Sequence, residues 1–179
     1  MSLNKLTCPF PANINPLSSG GFRLSIQKAP DLQFWCNEAN LPGMSLGTAV
    51  QATPFSQIQN PGDMIAYDTL NVQFMIDSEM TNYKALWFWM YGLGFPESYD
   101  NFTDLVDTDT RGPTGFGSRT VSDGSLVVLN NSFVPVKTIQ FIDMFPSNIN
   151  SIQLMSNNSD VVYMMGNATF NFTYWKFAD

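Results

Sequence analysis

The residues that could do chemistry in this chain are few and poorly placed for it. There is no histidine, which removes the side chain that titrates near neutrality and the commonest neutral metal ligand. The two cysteines, Cys8 and Cys36, have a spacing that matches no zinc or redox motif. Cys36 sits in an apolar strand pattern and reads as a buried free thiol, which makes a reducing compartment the simpler assumption. Carboxylates remain, since a pair of them can do the acid–base work of glycoside hydrolysis. Glu38, Asp63, Asp77, Glu79 and Glu97 are available, but no spacing singles out a pair. Asp107 and Asp109 would suit calcium, yet their loop lacks the Asp-x-Asn-x-Asp-Gly pattern that a calcium loop uses. The expectation is a protein with no catalytic residue, no metal and no cofactor.

The elements that would have to position such residues are those of one domain. A chain of 179 residues is long enough for a sizeable core. It is 44% hydrophobic but only 13% charged, about half the roughly 25% of an average globular protein. The surface must therefore be rich in Asn, Ser, Thr and Gln, groups that cost little to bury against another chain. The net charge is −7, and the basic residues Lys5, Arg23, Lys28, Lys84, Arg111, Arg119, Lys137 and Lys176 form no run. That excludes a protein that clamps nucleic acid, which needs clustered cations. No apolar run approaches the ~18 residues of a membrane span, and the opening MSLNKLTCPFPANINPL has no signal-peptide core. Membrane insertion is not expected.

Residues 1–20, rich in Pro, Asn and Ser, read as an extended arm, and residues 21–179 as a single β domain. Phe22–Lys28 alternates at strand period, and Leu32–Ala39 is expected to return beside it as a hairpin. Leu41-Pro42-Gly43 breaks the chain. Leu46–Ile58 has strand character with little apolar bulk, a tip at Pro54-Phe55-Ser56 and a turn at Asn60–Asp63. It reads as a long projecting hairpin ordered by neighbours. Tyr67–Ile76 alternates cleanly, with Leu70, Val72, Phe74 and Ile76 on one face. Asp77 or Ser78 can cap the helix that follows, whose stripe is Met80, Tyr83, Leu86, Trp87 and Met90. Gly92, Gly94 and Pro96 are expected to end it. Pro96–Gly124 reads as an acidic loop. Leu126–Asn131, Thr138–Phe145, Ile149–Leu154, Val161–Met165 and Asn167–Phe177 read as strands, with a turn at Pro146–Asn148. The order predicts a mainly antiparallel β-sandwich or barrel with one flanking helix.

Four segments, in this order and spacing, resemble the tail tube proteins of contractile-tailed bacteriophages. They are FRLSI at Phe22–Ile26, FWCNEANLPG at Phe34–Gly43, the turn, strand and helix start from Pro61 to Met80, and the run from Phe141 to Phe177 with its Tyr174-Trp175 pair. The resemblance implies a structural virion protein. Six subunits would form a ring that shares strands in one inner barrel, and rings would stack into a tube. Its partners would be further copies, the tail sheath, baseplate and terminator proteins, and double-stranded DNA passing through the lumen without specific binding. The protein would reside in the phage tail, assembled in the bacterial cytoplasm.

Under that resemblance, the hairpin would line the lumen through Thr48, Gln51, Thr53, Gln57 and Gln59. From Met44 to Asp77 there is no Lys or Arg, so the wall would offer no cation to hold phosphates. Pro54 and Phe55 at the tip, and Phe10 and Pro11 in the arm, would make inter-ring and inter-subunit contacts. The longer arm and the Pro96–Gly124 insertion leave room for a tube-end initiator or terminator, or the tube of a secretion or contractile-injection system. A carbohydrate-binding β-sandwich is the rival of a different class. It is weakened because Trp35, Trp87, Trp89 and Trp175 all fall in strand or helix patterns that look buried.

Overall fold

The computed structural model describes residues 16–17, 20–107, 120–155 and 163–178. Phe10, Pro11 and nearly all of the arm lie outside them. The chain is built from nine strands and three helices among the described residues: β1 (Phe22–Ile26), α1 (Leu32–Trp35), β2 (Cys36–Ala39), β3 (Met44–Ala52), β4 (Gln57–Tyr67), β5 (Leu70–Met75), α2 (Thr81–Gly94), α3 (Asp100–Asp107), β6 (Ser122–Leu129), β7 (Pro135–Ile149), β8 (Met165–Asn171) and β9 (Tyr174–Ala178). The mainly antiparallel β architecture with a flanking helix matches the expectation.

The long strand β7 joins two layers. Its first part pairs with β6 on one side and β9 on the other, and β6 carries β1. Its last residues, Phe145–Ile149, pair with β8, which continues to β5 and β2. The strand swings between layers at Asp143, where φ is 54° and the N–H is held by Asp123 Oδ1 at 3.2 Å. Pro146 does not end the strand as expected. It falls at a register shift where β7 meets β8, a place where a missing N–H breaks no ladder bond. Asn167–Phe177 is likewise two strands, β8 and β9, separated at Phe172-Thr173.

The first expected hairpin does not form. Pro30 and Asp31 start a single helical turn instead, with the Gln33 N–H on the Pro30 carbonyl at 3.1 Å and Leu32 buried. β1 pairs with β6, setting Leu24 opposite Leu126, while the short β2 pairs with β5. Strand period was legible in the sequence, but the partner was decided by distant apolar faces.

Between the layers lie Leu24, Leu126, Ile139 and Phe141 from one side and Leu70, Val72, Phe74, Ala168 and Phe170 from the other. Phe74, Phe141 and Phe170 are fully buried, each stabilising the fold by about 1.5–3 kcal/mol relative to exposure. Leu86 and Trp89 of α2 complete the core. The helix turns slightly differently from the expected stripe: Asn82, Leu86, Trp89 and Gly92 are buried, whereas Trp87 is 46% exposed. Asn82 is tolerated inside because its Nδ2 donates to the Met75 carbonyl at 2.8 Å and its Oδ1 accepts the Tyr83 N–H at 2.8 Å. Trp89 Nε1 donates to the Thr120 carbonyl at 2.9 Å.

Asp77 caps this region as expected. Its carboxylate accepts from the N–H groups of Glu79 and Thr81 at 2.7 and 3.1 Å and from the Thr81 hydroxyl at 2.6 Å. Gly92 does not end the helix. It lies within α2 because α3 crosses there, and a Cβ at Gly92 would stand 2.7 Å from Leu105 Cβ. The helix ends at Gly94, as expected, with Phe95 as its cap in the left-handed region at φ 32° just before Pro96. Part of the expected acidic loop is thus helix α3, whose Leu105 is buried. Residues 108–119 lie outside the described residues.

Candidate assembly surfaces

The hairpin β3–β4 stands apart as its own two-stranded sheet. Every residue of β3 is exposed, as are nine of the eleven residues of β4. It is longer than expected, because Asn60–Asp63 is not a turn but part of β4. The register slips there, so that Gly47 lies between Leu46, opposite Ile65, and Thr48, opposite Pro61. Such a bulge accommodates a proline inside a strand. The strands also approach closely, and a Cβ on Gly62 would lie 2.6 Å from the Gly47 carbonyl oxygen.

Alternation divides the hairpin into two unlike faces. One carries Met44, Leu46, Thr48, Val50 and Ala52, facing Tyr67, Ile65, Pro61, Gln59 and Gln57 across the strands. The other carries Ser45, Ala49 and Gln51, facing Ala66, Asn60 and Ile58. The first face is apolar and open: Met44 is 63%, Leu46 51%, Val50 56% and Ile65 50% exposed. This is more bulk than the sequence suggested. The face's orientation is fixed at its base, where the Tyr67 ring packs against Phe172 at 6.0 Å and Trp175 at 6.4 Å between centroids. The apolar side therefore runs outward from the core side of the domain.

The expected lumen residues do not share a face. Thr48, Gln57 and Gln59 lie on the face of Met44, Leu46 and Val50, and Gln51 lies on the other, opposite the half-exposed Ile58. The Thr53 hydroxyl is committed to the tip, donating to the Ser56 carbonyl and accepting the Ser56 N–H at 3.2 Å. Between them Pro54 and Phe55 form the turn, and Phe55 is 99% exposed.

Among the described residues no three His, Cys, Asp or Glu side chains gather as a metal site would require. Cys36 is a half-buried free thiol. Burial pushes its pKa up to about 11, against a weak hydrogen bond to the Glu38 carbonyl. An open groove of about 550 Å³ is bordered by Met90, Leu93, Val121, Phe145 and Pro146, with no charged side chain among the described residues that line it. Of the tryptophans, Trp89 is buried, Trp35 and Trp175 are half-buried, and Trp87 is open and stacked on Tyr91 at 4.6 Å. The expectation that all four are buried holds fully only for Trp89.

The described residues thus form a β domain with a detached hairpin that carries an uncovered apolar stripe. Residues 4–178 match the profile of the phage tail tube protein family, and the chain belongs to that family. Comparison with curated proteins returns no match. Among solved structures, the fold is similar to a chain of the anti-feeding prophage baseplate, with TM-score 0.57 and 9% identity over 92% of this chain and 96% of that one. It is similar to a chain in the sheath/tube terminator of an extracellular contractile injection system, PVC, with TM-score 0.57 and 12% identity over 92% and 98%. A chain in the PVC sheath–tube complex matches with TM-score 0.54 and 11% identity over 91% of each. The family and these folds define a tail-associated structural component.

Proposed function

We propose that this chain is a non-catalytic subunit of an inner tail tube, closing into hexameric rings that stack and conduct double-stranded DNA. The observation that carries the reading is the apolar face of the β3–β4 hairpin. Four large side chains about half open to water on a detached hairpin leave a monomer with an unsatisfied surface and two unpaired strand edges. A closed ring covers both, because each hairpin can pair with and pack on its neighbour, and the last edge meets the first. The arm and the Phe55 tip then serve contacts between rings, and the sheath, baseplate and terminator proteins meet the outer surface and the ends. We take the particular rank to be main tube subunit rather than a tube-end protein of the same fold, a reading that the family description supports.

Light scattering and electron microscopy of the purified protein over a concentration series test this reading. Six-fold rings that stack into long hollow tubes are expected. Rings that form but never stack would reassign the chain to a tube end. A monomer at all concentrations, with the hairpin folded back on its own domain, would overturn the ring.

A further inference from the structure

The loop between β6 and β7 is built to hold an aromatic ring in the open. Asn130 Oδ1 accepts the N–H groups of Ser132 and Val134 at 2.9 and 3.0 Å. The Asn130 backbone closes the same loop twice, accepting from the Phe133 N–H and donating to the Val134 carbonyl, each at 2.9 Å. Phe133 lies in the left-handed region at φ 58°, a position that hairpin loops of this kind usually give to glycine. A bulky residue is strained there, and the bonds of Asn130 hold it against that strain. The ring is not buried in return. Phe133 is 73% exposed, and Val134 and Val136 beside it are 53% and 51% exposed.

The apolar groove lies at the other end of the same strand. Val121 immediately precedes β6, and Met144, opposite Ser122, leads into Phe145 and Pro146. With Met90 and Leu93 these residues border about 550 Å³, room for the Phe133 ring with Val134 beside it. The loop follows Leu129, so the eight residues of β6 set knob and groove about 25 Å apart at ~3.3 Å per residue. A knob and a groove at opposite ends of one strand meet only between copies, in a head-to-tail contact that repeats. Neither side is charged. The loop and its flank read NNSFVPV from Asn130 to Val136, and the described lining of the groove has no Asp, Glu, Lys or Arg. In a chain of net charge −7, two such surfaces close on each other without desolvating an ion or setting like charges together. The segment before β1 joins the domain at the loop end, where the Leu129 N–H donates to the Gly21 carbonyl at 2.9 Å.

We infer that the Phe133 loop docks into the groove at Leu93 and Val121 of a second copy of this chain, and that this contact stacks one ring on the next. The inference rests on the tube reading, in which the hairpin face closes the ring sideways and leaves the two ends of each subunit to the rings above and below. The inter-ring role proposed for the arm then falls beside the same contact, since the arm leads into β1 next to the loop.

Phe133→Gly separates docking from folding. Glycine suits the left-handed position, so the urea midpoint of the variant subunit should equal or exceed the parent's. Its rings should form at the parent's concentration, while the concentration needed for tubes should rise at least tenfold. Tubes at the parent's concentration would overturn the inference and leave the tube reading intact. Loss of the rings themselves would place Phe133 in the contact within a ring and also overturn it. Val134→Cys combined with Leu93→Cys tests the partner surface in assembled protein, read above the parent's background. A short bis-maleimide should link copies into a ladder that extends past six, and neither single variant should give a ladder. A ladder that stops at six, or none in well-formed tubes, would refute the docking. A small maleimide should label Leu93→Cys in dilute subunit, and failure to label would show the groove filled by its own chain and refute the docking as well. Absence of closed assemblies for the parent would remove the tube reading, and the inference with it.

Discussion

The pair Leu46→Ala and Val50→Ala probes the apolar hairpin face most cleanly. Leu46 is 51% and Val50 56% exposed in the isolated subunit. Fully burying such a side chain stabilises by about 1.5–3 kcal/mol relative to exposure, so covering the open half of each adds about 1 kcal/mol per residue to a subunit contact. Truncating both removes about 1.5–2 kcal/mol from each contact, or roughly ten- to thirtyfold in the pairwise association constant. Because a closed ring repeats the contact at every subunit, the concentration at which rings appear should rise by at least that factor. The unassembled subunit should lose little, about 0.5 kcal/mol per site or less, since these positions lie outside its core. Sedimentation velocity over a concentration series reads the first quantity and urea unfolding of dilute subunit the second. Gln51→Ala, on the opposite face, should leave association between neighbours unchanged. Unaltered assembly of the double variant, or a loss of subunit stability that accounts for the whole effect, would refute the reasoning.

Gly92→Ala should destabilise the subunit by about 1–3 kcal/mol through overpacking, because the new methyl would stand 2.7 Å from Leu105 Cβ; a urea midpoint equal to the parent's would contradict the α2–α3 crossing. The hydrogen bond from the Thr81 hydroxyl, aided by nearby backbone N–H groups, holds the Asp77 carboxyl below the ordinary value of 3.8. A depressed folded-state pKa contributes stability above the unfolded pKa and loses it as pH falls through the folded one. Asp77→Ala should therefore weaken the protein at neutral pH and flatten its acid-side stability profile below pH 3.8, and an unchanged acid limb would contradict the cap. With its pKa pushed up to about 11, Cys36 should react slowly with thiol reagents at pH 8 in the folded subunit and rapidly in urea; fast reaction in the native state would contradict its burial.

Local patterns carried much of the fold into view. The alternation of Leu70–Met75 marked both a strand and its buried face, because a period of two leaves no ambiguity once one side is apolar. The projecting hairpin was legible from its polar residues and from Pro54-Phe55 at the tip. Pairing was not legible where it depended on distant surfaces. Phe22–Ile26 and Cys36–Ala39 look like a hairpin in sequence, yet Leu24 finds its place against Leu126. Prolines and glycines misled for a shared reason. Pro61 and Pro146 sit at register shifts and Gly92 at a helix crossing, positions where tertiary contact overrides their use as breakers. The candidate lumen residues were chosen by polarity along the chain. Faces are decided by register, and the bulge at Gly47 and the pairing of β5 with β8 could not be read from one sequence.

The most direct measurement is a cryo-electron microscopy reconstruction of the assembled protein. The account predicts a six-fold ring in which Met44, Leu46, Val50 and Ile65, open in the isolated subunit, are covered by the neighbouring copy. A ring with the apolar hairpin face still open to solvent would contradict it.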